Sequence, residues 1–60
     1  MKIFENEQMQ VTIKENGEGT VKVKAFGDVY SFTILTNGSI KAGSSLALSK
    51  ATKARKIFGF

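Results

Sequence analysis

Lys14, Lys22 and Lys24 stand among Gln10, Thr12, Ser31 and Thr33 in segments that alternate apolar and polar residues. Ammonium groups attract phosphate, and hydroxyls and amides bond to phosphate oxygens or base edges. The chemistry these seven residues offer is recognition of an anion rather than the making or breaking of bonds. Catalysis has little to work with. The chain has no His and no Cys, which removes the Ser–His pair, the thiolate nucleophile and the usual zinc and haem ligands. Ser39, Ser44 and Ser45 lie where turns and helix caps use a hydroxyl. Glu5 and Glu7 share one side of an extended segment, with no other catalytic group nearby. The "GEG" and "GSS" stretches are too short to cradle a phosphate. We expect no enzyme, no cofactor, no metal and no small-molecule substrate.

Sixty residues make a single domain, 1–60. At this size folding buries only about 60% of the unfolded chain's surface, so stability is marginal without a staple. With disulfides and metals excluded, packing or self-association must supply it. Net charge is +4, and all five acids fall in the first 28 residues. The later part carries Lys41, Lys50, Lys53, Arg55 and Lys56 and no acid. That asymmetry fits an anionic partner, and it also fits lysines placed for solubility. No apolar run approaches the ~18 residues of a membrane span. The opening "MKIFENEQMQ" has acids where a secretory leader needs an apolar run. The expectation is a cytoplasmic protein that binds no membrane.

Glycines punctuate the chain at "NGEG", "GD", "NG" and "GSS". Between them lie runs of strand length. Met9, Val11 and Ile13 share one face, as do Val21, Val23 and Ala25. Pairing these two sets demands an odd loop, of three or five residues, with a left-handed glycine. A two-residue loop at Gly27-Asp28 then sets Val23 against Phe32 and Val21 against Ile34. A two-residue turn at Asn37-Gly38 sets Leu35 against Ile40 and begins a short strand, "SIKA". "MKIF" adds an edge strand or covers Leu35 and Ile40. After "GSS" the period changes. Ser44 or Ser45 caps a helix whose Ala47, Ala51, Ala54 and Phe58 form one stripe, closed by Gly59. The expected fold is α+β: a small antiparallel β-meander of three to five strands, open or curled, with one C-terminal α-helix on one face. Its core is Met9, Val11, Ile13, Val21, Val23, Ala25, Tyr30, Phe32, Ile34 and the helix stripe.

The second face of this sheet carries rows Gln10–Lys24–Ser31, Thr12–Lys22–Thr33 and Lys14–Thr20–Leu35, with no acid in the middle. Solvated Thr and Lys are ordinary on the wet face of an antiparallel sheet; as a set they make a cationic, hydroxyl-rich platform of the kind that enters a DNA major groove. The run "VTIKENGEGTVKVKAFGDVYSFTI" followed by "LALSKATKARKIFGF" is similar to three-stranded-sheet-plus-helix DNA binders such as AP2-like domains and the arm-type domains of phage integrases. The segment "GSIKAGSSLALSKATKARK" resembles the last strand and helix of double-stranded-RNA-binding domains. Both likenesses lie in element order and an Ala/Arg/Lys helix, not in a diagnostic motif. They imply a nucleic-acid-binding module, for DNA ahead of RNA. Phe26 beside Lys24 is the candidate for base stacking, and the row Lys50, Lys53, Lys56 could touch phosphate but reads first as a solvated helix face. A second reading is a protein-binding factor, an inhibitor or assembly subunit. It would use a free strand edge or self-associate to bury Leu35, Ile40, Phe26 and Phe60.

Overall fold

Apolar side chains at every second position need a common surface to cover them. In the computed structural model, which describes residues 1–60, they find it by pairing strands in chain order. The strands are β1 (Lys2–Glu5), β2 (Met9–Ile13), β3 (Glu18–Val23), β4 (Asp28–Ile34) and β5 (Ile40–Ala42), followed by helix α1 (Ser45–Phe58). Each strand is antiparallel to the next, so the sheet is an open five-stranded meander with β3 at its centre. "MKIF" forms the edge strand, and "SIKA" a strand of only three residues.

Helix α1 closes the apolar face. Its start is set by Ser44, whose Oγ accepts from the Ala47 N–H at 3.1 Å, satisfying a donor with no partner inside the helix. It stops at Gly59, left-handed at φ 75°, whose N–H donates to the Arg55 carbonyl. The buried stripe is Ala47, Ala51 and Ala54. Lacking bulk, the alanines let the helix backbone approach the sheet, where Val11 and Val21 are fully buried. The small side chains cover little width, so aromatics complete the lid. Phe4 of β1 stacks on Phe58 and Phe60, with ring centroids 5.5 and 5.7 Å apart, and Phe60 stacks on Phe32 at 5.9 Å. Such pairs add about 0.5–1.5 kcal/mol each beyond the area they bury. The C-terminal residue thus belongs to the core.

Three loops decide the register, and two differ from expectation. Between β2 and β3 the loop has three residues, Glu15 to Gly17, within the range expected. The Lys14 N–H donates to the Glu18 carbonyl at 2.7 Å, and Gly17 takes φ +93°. Between β3 and β4 the connection is four residues, Lys24 to Gly27, rather than the two of Gly27-Asp28. The Gly27 N–H donates to the Val23 carbonyl at 2.8 Å, and Val21 pairs with Tyr30. The reason is steric. This register sets Gly19 opposite Phe32, and the ring lies where a Gly19 Cβ would be, 2.5 Å from the Phe32 Cζ. Between β4 and β5 the loop is again three residues, Thr36 to Gly38, so Ile34 rather than Leu35 faces Ile40. That moves Ile40 to the apolar face, where it packs on the core. Ala25, expected inside, is exposed in the β3–β4 turn. Each slide is by an even number of residues across β2, β3 and β4, so every other apolar position kept its face.

Candidate functional site

The face of β2, β3 and β4 turned away from α1 carries the polar residues of the alternation. Its rows are Gln10–Lys22–Val29 and Thr12–Thr20–Ser31, then Glu18–Thr33–Lys41 at the far end. Lys14 continues β2 beside Glu18. Gln10, Thr12, Lys14, Lys22, Ser31 and Thr33 are therefore gathered on one surface, as their alternation requires, though with partners different from those expected. Thr12, Thr20, Ser31 and Thr33 line an open depression of about 690 Å³ together with Lys14, Glu18 and Lys41.

Two features depart from the expected platform. Glu18 enters the face because the shorter β2–β3 loop starts β3 earlier, so the surface is not free of acid. Lys24 lies beyond the end of β3 and is held by Glu5 of the edge strand in an ion pair. The pair is 38% and 54% exposed, so its worth is at most about 1 kcal/mol. It nonetheless takes Lys24 out of the set of free cations. Lys41, placed by the β4–β5 hairpin opposite Thr33, takes its place. Sequence reasoning missed Lys41 because the two-residue Asn37-Gly38 turn put β5 one residue out of step.

Several polar side chains elsewhere serve the fold: Asn6, Asn16 and Asn37 each bond backbone N–H groups in turns, Ser44 caps α1, and Thr52 bonds the Leu48 carbonyl. The side chains of Thr12, Thr20, Ser31 and Thr33 bond no protein group, and Lys14, Lys22 and Lys41 have no carboxylate within ion-pair distance. Four uncommitted hydroxyls sit between uncommitted ammonium groups. The three strands that present them span about 10 Å, two spacings of ~4.8 Å, and a B-DNA major groove is ~12 Å wide. No aromatic ring lies on this surface: Tyr30 and Phe32 point to the helix side, and Phe26 stands 81% exposed at the β3–β4 turn. No helix is long and apolar enough to cross a membrane. No protein-family model, no curated protein and no solved structure matches the chain.

Proposed function

We propose that this chain is a small non-enzymatic nucleic-acid-binding module whose hydroxyl- and lysine-bearing sheet face meets a duplex, DNA in preference to RNA. The observation that carries this reading is the set of uncommitted groups: Thr12, Thr20, Ser31 and Thr33 bond nothing in the protein, and Lys14, Lys22 and Lys41 have no carboxylate partner. Lysines supply attraction to phosphate, while hydroxyls and Gln10 supply bonds to phosphate or base edges. A face without aromatic rings favours duplex over single strand, where stacking supplies much of the affinity. The narrow major groove of A-form RNA excludes a three-stranded surface, which favours DNA. Lys24 contributes once a phosphate displaces Glu5.

The test is titration of a 20-bp DNA duplex against salt. Three neutralised phosphates give a slope of about −2.7 in log K against log salt, a loss of roughly 40-fold between 50 and 200 mM. Lys14→Gln/Lys22→Gln/Lys41→Gln should flatten that slope without unfolding the chain. Absence of binding at 50 mM salt overturns the reading.

The second reading, a protein partner or homo-oligomer, rests on Phe26, 81% exposed, and on Val29, 58% exposed, in the row beside Lys22. Of the residues first expected to drive self-association, Ile40 and Phe60 are packed against the core, leaving Phe26 and Leu35. Sedimentation across a concentration range tests it: a monomer at every concentration, together with no partner engaged through Phe26, sets it aside.

A further inference from the structure

The net charge of the molecule is not where the sheet face is. In residues 1–44, Lys2, Lys14, Lys22, Lys24 and Lys41 are balanced by Glu5, Glu7, Glu15, Glu18 and Asp28. The whole excess of +4 therefore belongs to α1, as Lys50, Lys53, Arg55 and Lys56. Arg55 is committed, its Nη1 donating to the Gly38 carbonyl at 2.7 Å. Lys50, Lys53 and Lys56 have no ion-pair partner. Lys53 and Lys56 are exposed, and Lys50 is half-buried. Lys53 and Lys56, with Ser49 and Thr52, form the surface of the helix opposite its alanine stripe, and Lys50 flanks that surface. At 1.5 Å per residue the three ammonium groups cover about 9 Å of helix axis. A duplex alongside offers about one charge per 1.7 Å, or roughly five phosphates over that length.

This surface and the hydroxyl face look in opposite directions, because the alanine stripe packs on the far side of the same sheet. Duplex DNA has a persistence length of about 50 nm, so it cannot wrap a body whose longest extent is 31 Å and touch both. We propose that the outer surface of α1 is a second polyanion-binding site, occupied by a separate duplex, so that one molecule joins two nucleic-acid segments. The proposal rests on the sheet-face reading for the first duplex and on the lysine row of α1 for the second. Charge complementarity names the occupant. The helix carries no acid, and the exposed apolar residues bordering the row, Leu46 and Ile57 on one side and Leu48 on the other, are interrupted by lysines rather than joined in an apolar band.

The experiment is a capture assay. One 20-bp duplex is immobilised, a second is fluorescent, and the full chain is added at 50 mM salt. The wild type should bind the immobilised duplex and retain the fluorescent one, with capture falling roughly 40-fold by 200 mM as three phosphate contacts are screened. The Lys50→Gln/Lys53→Gln/Lys56→Gln variant should still bind the immobilised duplex through the sheet and lose capture of the second. If that variant fails to fold by circular dichroism, Lys53→Gln/Lys56→Gln spares the half-buried position and should lose most of the capture. Binding of one duplex without capture of a second overturns the proposal and leaves the sheet-face reading standing. So does capture that survives in the helix variant, since joining would then run through protein–protein contact. Loss of all duplex binding overturns both. Vesicles containing phosphatidylserine form the last arm: binding to them that needs Lys53 and Lys56, without duplex capture, assigns the helix to an anionic membrane and overturns the proposal.

Discussion

The two faces of β2, β3 and β4 are built from alternate residues of the same three strands, and they differ in how far the fold depends on them. On the inner face Val11 and Val21 are fully buried and Phe32 is 3% exposed. On the outer face Thr12, Thr20, Ser31 and Thr33 bond nothing within the chain. A sheet of this kind concentrates its stability in one set of side chains and leaves the other free to be chosen for a partner. In a chain of 60 residues the inner set has little reserve, because the core it forms is small.

The contrast is tested hardest at Phe32. Its ring fills the space above Gly19 and stacks on Phe60. Phe32→Ala should cost about 3–5 kcal/mol, the usual range for an emptied aromatic site. That is comparable to the whole stability of a small domain, so urea titration should find the variant largely unfolded in water. A native-like midpoint would show that the aromatic lid is not what closes the core. The reciprocal change comes next. Gly19→Ala places a Cβ 2.5 Å from the Phe32 Cζ, and the ring must shift. Overpacking of this kind costs about 1–3 kcal/mol, again read from the denaturation midpoint.

These two residues also mark where sequence reasoning stopped. The faces were legible because hydrophobic alternation has a period of two, and any even slide preserves it. The partners were not legible, because Val23 opposite Phe32 and Gly19 opposite Phe32 satisfy the same alternation. Only the bulk of the ring against the missing side chain separates them. The helix was read nearly complete from Ser44, the alanine stripe and Gly59, since caps and a 3.6-residue period are local signals. The Asn-Gly pairs were read unevenly. Both form the same three-residue loop, with the Asn side chain accepting from the residue after the glycine, at 3.0 Å in each case. For the first, apolar rows on both sides demand an odd loop. For the second, Ile34 and Ile40 make the same demand, but the Asn-Gly pair alone points to the two-residue turn it commonly forms. The candidate site follows from these loops: Glu18 enters the outer face because the β2–β3 loop takes the shorter of its two expected lengths, and Lys41 because the β4–β5 loop has three residues where two were expected.

The two loops allow the next comparison at smaller magnitude. Gly17 and Gly38 both have positive φ, +93° and +88°. A Cβ at Gly38 meets nothing within 4 Å, whereas one at Gly17 would lie 2.6 Å from the Ile34 carbonyl oxygen. Gly38→Ala should cost about 1–2 kcal/mol, the left-handed penalty alone. Gly17→Ala carries that penalty plus displacement of β4 and should be about 1 kcal/mol worse. Equal midpoints for the two variants would mean that the β2–β3 loop yields freely and does not fix the register that brings Glu18 into the outer face.

The smallest expected effect belongs to the outer face itself. Thr20 lies on the central strand with Thr12 and Ser31 as its neighbours in the pairing, and its hydroxyl has no partner within the protein. Thr20→Val keeps the β-branched shape that suits a strand and removes only the uncommitted group. Its effect on stability should stay within about 0.5 kcal/mol, as for surface positions without a named interaction. If the outer face exists to be solvated, nothing else changes. If it meets a duplex, the same substitution removes a bond to phosphate or base edge at the centre of the contact and should weaken binding about three- to tenfold, the worth of a net hydrogen bond of about 1 kcal/mol. Stability and affinity thus move apart at Thr20 and together at Phe32. A Thr20→Val chain that folds as the wild type and binds duplex DNA with undiminished affinity would place recognition elsewhere on the molecule, with the lysine row of α1 as the surface left to carry it.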